Sequence, residues 1–307
     1  MRRISVFILS TIFIVIACMN VLAGRGDDKA GAAARAQELL GQARAALGGE
    51  AKLKAVQSLT ASGKLRQVMQ NNDADSQTEG EIEMNVLLPD KYMRAETMPL
   101  PVGDGEVKRI SGINGEQIFR DAQSTGPGMV MIRPMPDDPK ARAGQVRMMR
   151  EEFARNVIAW LLTSPPNFPV EFSYAGEAES KDGKADALDI KGPEGFNARL
   201  FLDKQTHLPL MLSYRAPQPR VTMITRTAQG SHEDLEARKK EAQEQAEKQA
   251  ANPQLSEVQV YFSEYRAEEG ILLPHRVTRS VNGDFSEEWE LKKFKINPPL
   301  KAESFKK

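Results

Sequence analysis

Cysteine is almost missing from this chain, with one residue, Cys18, among 307. A single thiol builds no internal disulfide and no cysteine-ligated metal centre. Aromatic residues are few, at 6% with two tryptophans, which argues against a cleft of stacked rings for sugars or bases. Neither sign of charge is in excess, since 42 basic residues balance 42 acidic ones. The field that would neutralise a nucleic-acid backbone is therefore lacking, and no nucleic-acid partner is expected. Histidine is scarce as well: His207, His232 and His275 have no ligand spacing to one another or to an acidic cluster, so neither a metal nor a cofactor is expected. No Gly-x-Ser-x-Gly elbow and no glycine-rich phosphate loop between a strand and a helix occurs. Asp73-Ala74-Asp75 starts like a calcium loop, but Thr78 stands where glycine is required and Met84 where the bidentate glutamate belongs. These absences point to a binding protein without catalytic residues.

One apolar run is present, and it is N-terminal. Arg2 and Arg3 precede a mostly apolar stretch from Ile4 to Ala17, shorter than the roughly 20 residues of a membrane span, and Val21-Leu22-Ala23 before Gly24 suits signal-peptidase cleavage. Residues 1–23 read as a signal peptide and 24–31 as a flexible start, which places the remainder in the periplasm. Val15-Ile16-Ala17-Cys18 also fits a lipobox, in which Cys18 would be acylated and the protein anchored as an outer-membrane lipoprotein. Both readings stand on the sequence.

The folded part opens with Ala32, Ala36, Leu39, Ala43, Ala46 and Leu47, a helical period ended by Gly48-Gly49. Its alanine-rich face suits close packing on a sheet. From Leu59 the period becomes two: Leu59, Ala61, Gly63 and Leu65, then Ile82, Met84, Val86 and Leu88, with a polar tip from Asn71 to Ser76. Asn114-Gly115 marks a second hairpin. Asp138-Pro139 then opens a helix whose stripe Val146, Met149, Phe153, Val157 and Trp160 ends at Ser164-Pro165-Pro166. Met149, Phe153 and Trp160 read either as core packing or as the underside of a lid over an apolar cavity.

The second half is a succession of short strands: Val170 to Tyr174, Leu188 to Ile190, Ala198 to Leu202, Leu208 to Tyr214, Val221 to Thr227, Val258 to Tyr265, Ile271 to Val281 and Phe285 to Ile296, with Asn282-Gly283 as the last turn. Close spacing of this kind implies an antiparallel meander. Ser231 to Ala251 breaks the pattern as a nearly all-polar helical insertion with no face to bury. About ten strands with two packed helices exceed what a flat sheet holds, so the expected fold is mainly β with helices (α+β), a single domain over 32–307 with the charged insertion at 231–251.

Several short segments resemble the outer-membrane lipoprotein-sorting, Lol-type, carriers. They are Ser58-Leu59-Thr60-Ala61-Ser62-Gly63, Leu88-Pro89-Asp90-Lys91-Tyr92-Met93-Arg94 and Ile113 to Phe119, joined by Phe201-Leu202-Asp203-Lys204 and Gly270 to Val277. The resemblance implies a curved antiparallel sheet forming an unclosed half-barrel, whose concave apolar face lies under helices and receives lipid or lipoprotein acyl chains. It also implies a second class of partner, since related half-barrels serve as envelope sensors that bind a protein. The candidate cavity lining is then Leu65, Ile82, Met84, Val86, Tyr92 and Phe119 in the first half and Phe172, Leu188, Leu200 and Leu210 in the second. Tyr92 stands where the carriers have an aromatic residue at the mouth. Leu88 stands where they have an arginine that latches the lid, so that latch has no counterpart here.

Overall fold

The computed structural model describes residues 29–71, 74–100, 104–125, 139–180, 183–217 and 255–306. The export segment 1–23 with Cys18, the strand expected over Val221–Thr227 and the charged stretch Ser231–Ala251 lie outside the described residues.

Helix α1 (Lys29–Leu47) buries Ala36, Leu39, Leu40, Ala43 and Leu47 on one face, the i, i+3, i+4, i+7 pattern of its sequence. It ends because Gly48 takes a positive φ of 129°, and a Cβ there would run into the Gly270 carbonyl oxygen. Glycine is thus demanded twice at this position, by conformation and by approach. The short α2 (Glu50–Lys54) follows, with Lys52 Nζ donating to the Gly270 carbonyl at 3.3 Å.

Twelve described strands form one antiparallel sheet: β1 (Ser58–Asn71), β2 (Ala74–Leu87), β3 (Lys91–Pro99), β4 (Glu106–Asn114), β5 (Gln117–Ser124), β6 (Glu171–Ser180), β7 (Gly183–Lys191), β8 (Asn197–Asp203), β9 (Pro209–Pro217), β10 (Leu255–Glu268), β11 (Ile271–Val281) and β12 (Asp284–Ile296). The spatial order is β5-β4-β3-β2-β1-β12-β11-β10-β9-β8-β7-β6. The first and last strands of the chain therefore meet at the centre, and two meanders run outward from that seam. Strands β5 and β6 are the two ends of the sheet and do not pair with each other, so the sheet stays open. A sheet this wide curls under its own twist, and the result is an unclosed half-barrel with helices over its concave side.

Helix α3 (Pro139–Leu161) is the crossover between the ends: it follows β5, packs on β4 and β5, and delivers the chain to β6. Helix α1 packs on β6 and β11. The seam is tied at one end by Asn297, whose Oδ1 accepts from the Gln57 and Ser58 amides at 2.6 and 3.2 Å while Nδ2 donates to the Ala55 carbonyl at 3.0 Å. A bulge at Ser62/Gly63 skips one residue of β12, and there a Cβ on Gly63 would strike the Glu290 carbonyl.

Two turns illustrate how local chemistry sets the register. Asn282 and Gly283 both have positive φ, 51° and 90°, as a two-residue hairpin turn of the primed kind requires. The β4–β5 turn is displaced from the sequence reading by one residue: Asn114 ends β4, and the turn is Gly115-Glu116 with only Gly115 at positive φ. Strand β3 has no counterpart in the sequence reading, because Lys91, Arg94 and Glu96 obscure its alternation.

Candidate functional site

Residues opposite one another in antiparallel strands share a face. Tyr92, Val86, Leu59 and Ile296 form one such row across four strands, and Arg94, Met84, Ala61 and Phe294 another. Leu188, Leu200, Leu212 and Val260 continue the same face in the second meander. The sequence candidates Leu65, Met84, Tyr92, Leu188 and Leu200 are completely buried on it, and Ile82 and Val86 nearly so. Phe172 is partly buried and packs against the same core. Helix α3 lies over this face with Phe153 and Trp160 buried and Met149 partly buried beneath it. Tyr92 and Phe153 rings stand 6.3 Å apart, and Trp160 meets Phe294 edge-on, also at 6.3 Å.

Two candidates are corrected. Phe119 pairs with Gly112 and Met93, on the opposite face from Tyr92, and its ring occupies the space that the Gly112 side chain lacks; Ile118 is the inward residue. Leu210 is 37% exposed because the β8–β9 register shifts at Phe201/Leu202, leaving it as the extra residue of a bulge, and Leu212 takes the inward position.

The concave face is not apolar throughout. Strand tilt brings inward residues of different register into one layer, and that layer contains Arg94 from β3, Glu287 and Trp289 from β12, and Arg279 from β11. Arg94 Nη2 lies 2.6 Å from Glu287 Oε2, and Arg94 Nε lies 2.6 Å from Glu96 Oε1 without the alignment of a hydrogen bond. Arg279 Nη1 approaches Glu287 Oε1 at 3.3 Å, and the Arg94 guanidinium lies 5.0 Å from the Trp289 ring centre. Burial pushes the Glu287 carboxyl up, but Arg94 and Arg279 outweigh it and hold the group at about 2. Burial likewise works against the Arg94 charge, and the Glu287 and Glu96 carboxylates more than reverse it, keeping its pKa well above the ordinary arginine range.

Helix α3 is fastened to this layer by polar contacts. Tyr92 Oη donates to Glu152 Oε1 at 3.3 Å, and Arg94 Nη1 lies 4.0 Å from the same oxygen. Burial, and next the Glu152 charge, push the Tyr92 hydroxyl well above its ordinary pKa, so it remains a donor. One turn on, Arg155 is only 9% exposed. It pairs with Glu151 at 2.6 Å and lies 4.0 Å over the Tyr214 ring and 5.3 Å from that of Phe196. At the end of α3, Leu162 turns left-handed (φ 50°), and its carbonyl accepts from Arg44 Nε and Nη2 of α1 at 3.0 and 2.9 Å. The two helices are thereby joined.

Sequence reading placed His275 at the surface or half-buried. It is 2% exposed, edge-on to Phe294 at 5.1 Å, with Nε2 3.1 Å from Glu268 Oε1. Among the described residues no group of three His, Asp or Glu is placed to hold a metal ion. On the convex face, Lys64, Lys108, Lys292 and Lys293 border an open depression of about 430 Å³ shared with Glu81 and Glu83. The buried arginine layer was invisible in the sequence reading. Its only signal was a charged residue at an inward position of an alternating strand, as at Arg279 and Glu287.

The class of protein that fold and site define is an open antiparallel half-barrel with a helix-covered concave face that carries one polar layer. Solved structures similar to this chain include a LolA superfamily protein from Nitrosomonas europaea, at 9% identity and a TM-score of 0.43 over 89% of this chain and 97% of that one. A DUF1329 family protein from Desulfovibrio piger is similar at 12% identity and 0.46, over 88% and 97%. A protein from Vibrio parahaemolyticus described as an outer membrane lipoprotein-sorting domain is similar at 10% and 0.43, over 89% and 97%. The likeness is distant at these values. No family model matches the chain, and no curated protein matches it.

Proposed function

We propose that this chain is a non-catalytic carrier or chaperone of the cell envelope that binds acyl chains, of lipids or of lipoproteins, in the concave face of its half-barrel. The observation that supports this most directly is helix α3: it covers a mainly apolar face that carries one polar layer, and it is a crossover held there by its apolar stripe and a few polar contacts rather than a member of the sheet. Moving α3 would uncover Tyr92, Met84 and Phe294 on the sheet and Phe153 and Trp160 on the helix. An acyl chain is the partner that restores what such a movement loses. A chain of about sixteen carbons gains on the order of 12 kcal/mol gross from burial at about 0.8 per methylene. Immobilisation and departure from a bilayer remove most of it, which leaves a small net preference suited to hand-over rather than storage. The export signal read in the sequence supports action in the periplasm or, through Cys18, at the outer membrane. No helix among the described residues is long and apolar enough to cross a membrane.

The test is native mass spectrometry with lipid extraction on the protein purified from an envelope fraction, with displacement of a fluorescent acyl probe as a second readout. A bound acyl species and a displaceable probe are expected. An empty protein that takes up no probe but co-purifies with one stoichiometric protein would replace this reading with that of an envelope interaction or sensor module.

A further inference from the structure

A concave face meant only for hydrocarbon has no use for three arginines. Replacing buried ion pairs by well-packed apolar residues is commonly neutral or stabilising, so the largely buried pairs of the polar layer, Arg94–Glu287 and Arg155–Glu151, which Arg279 borders with its side chain one-third exposed, are costly as mere structure. From its geometry we infer that this layer is the docking point for an uncharged acceptor group, the ester or amide carbonyl through which an acyl chain is attached to its parent molecule. The inference rests on the acyl-binding reading and deepens it.

Two observations point to that chemistry. Arg279 Nε on the sheet and Arg155 Nε on α3 are buried donors with no acceptor among the described residues. Arg155 lies on α3 with the Tyr214 ring 4.0 Å beneath it, and Arg279 lies on the sheet face that Tyr214 shares, two strands away. A ligand that satisfies them must bring acceptors, since a donor there would leave both unpaired. The second observation concerns charge. Glu287, Glu96, Glu152 and Glu151 already face these arginines, at 2.6 Å from Arg94 for the first two and 2.6 Å from Arg155 for the last. With Arg147 also paired to Glu151 at 3.3 Å, four guanidinium groups stand against four carboxylates and leave no positive surplus for a free carboxylate or phosphate, which would meet Glu287 and Glu151 as like charges. A carbonyl oxygen brings the acceptor without the repulsion. In this arrangement methylenes occupy the apolar floor around Met84 and Leu65, and the linkage stops at the arginine layer.

Three twelve-carbon ligands, kept below their aggregation limits, separate the alternatives in displacement of a fluorescent acyl probe from the full chain. They are 1-monolauroylglycerol, its ether analogue 1-O-dodecylglycerol, which lacks the carbonyl, and laurate. The ester should displace the probe at about tenfold lower concentration than the ether, the worth of one hydrogen bond to a charged donor. Arg279→Met and Arg155→Met, which keep side-chain length, should bring the ester-to-ether ratio toward one, whatever they do to the affinity of both ligands together. Equal displacement by ester and ether in the unmodified protein would overturn the inference while leaving acyl binding intact. Laurate binding tighter than the ester would also overturn it, in favour of an anion site. No displacement by any of the three would remove the acyl-binding reading itself. The ester-to-ether comparison needs no variant, so it decides the matter even where a substitution impairs folding.

Discussion

Glu287 occupies an inward position of β12 that apolar side chains fill elsewhere along the same strand, and two arginines keep it ionised there. The pH consequence follows from the direction of its shift. Its carboxyl titrates near the ordinary 4.5 when unfolded and at about 2 when folded, so the folded state binds its proton less readily. The stabilisation is complete above the unfolded value and is lost as pH falls from 4.5 toward 2. A gap of that size corresponds to on the order of 3 kcal/mol. Glu287→Gln is therefore expected to lower unfolding free energy by about 3 kcal/mol at pH 7, and the difference between the two proteins should shrink to near zero by pH 2. Urea titrations at a series of pH values check this; a difference that stays constant with pH would show that Glu287 acts through shape rather than charge. At this scale the sequence was only half legible. Alternation along Glu287, Trp289 and Leu291 shows which residues share a face, but Arg94 lies 193 positions away. Only the sheet order brings the two together.

Between the residues and the whole stands α3, the element on which the proposed function turns. Its apolar stripe was plain in the sequence from the spacing of Val146, Met149, Phe153, Val157 and Trp160, and so was its stop at Ser164-Pro165. The polar residues interleaved on it carry no such signal, since Glu152 and Arg155 take their partners from β3 and β9. The same limit explains the displaced candidate Leu210, because a bulge beside it reverses its side chain's face and periodicity carries no record of that. Phe119 follows Ile118 in an apolar pair, so alternation does not say which of the two faces inward. The attachment of α3 to α1 through Arg44 is open to test. Arg44→Met removes two hydrogen bonds from a charged donor to the Leu162 carbonyl but keeps the packing of the stem. A loss of about 1.5 to 3 kcal/mol is expected, together with faster hydrogen exchange over the last turn of α3. Under the proposed function the same variant should also take up a fluorescent acyl probe faster in stopped-flow mixing. Unchanged uptake in a variant with a demonstrably looser α3 would show that this helix does not gate the concave face.

At the scale of the molecule the governing fact is that the chain's first strand is zipped to its last. Each meander is held mostly by neighbours in sequence, through short connections except for residues 218–254 between β9 and β10, but β1 and β12 pair across more than two hundred residues, with Leu59 opposite Ile296 and Leu65 opposite Trp289. These two strands are flanked on both sides by paired neighbours, and at one end Asn297 closes three further hydrogen bonds across the seam. Strands β5 and β6 have a neighbour on one side only, and what covers them comes from α1 and α3. Opening free energy should therefore fall outward from the centre, because an edge strand frays without disturbing the ladder beyond its single partner, whereas separating β1 from β12 divides the whole sheet. Native-state hydrogen exchange is expected to find its slowest amides in β1, β12 and β2, exchanging only through global unfolding, and progressively faster ones toward β5 and β6. Long-range closure of this kind also raises the entropic cost of the folding transition state, so refolding should be slow, on the scale of seconds in stopped-flow experiments, and the seam amides should be the last to gain protection. Early protection of β1 and β12, ahead of the meanders they join, would mean that the seam nucleates the fold instead of completing it.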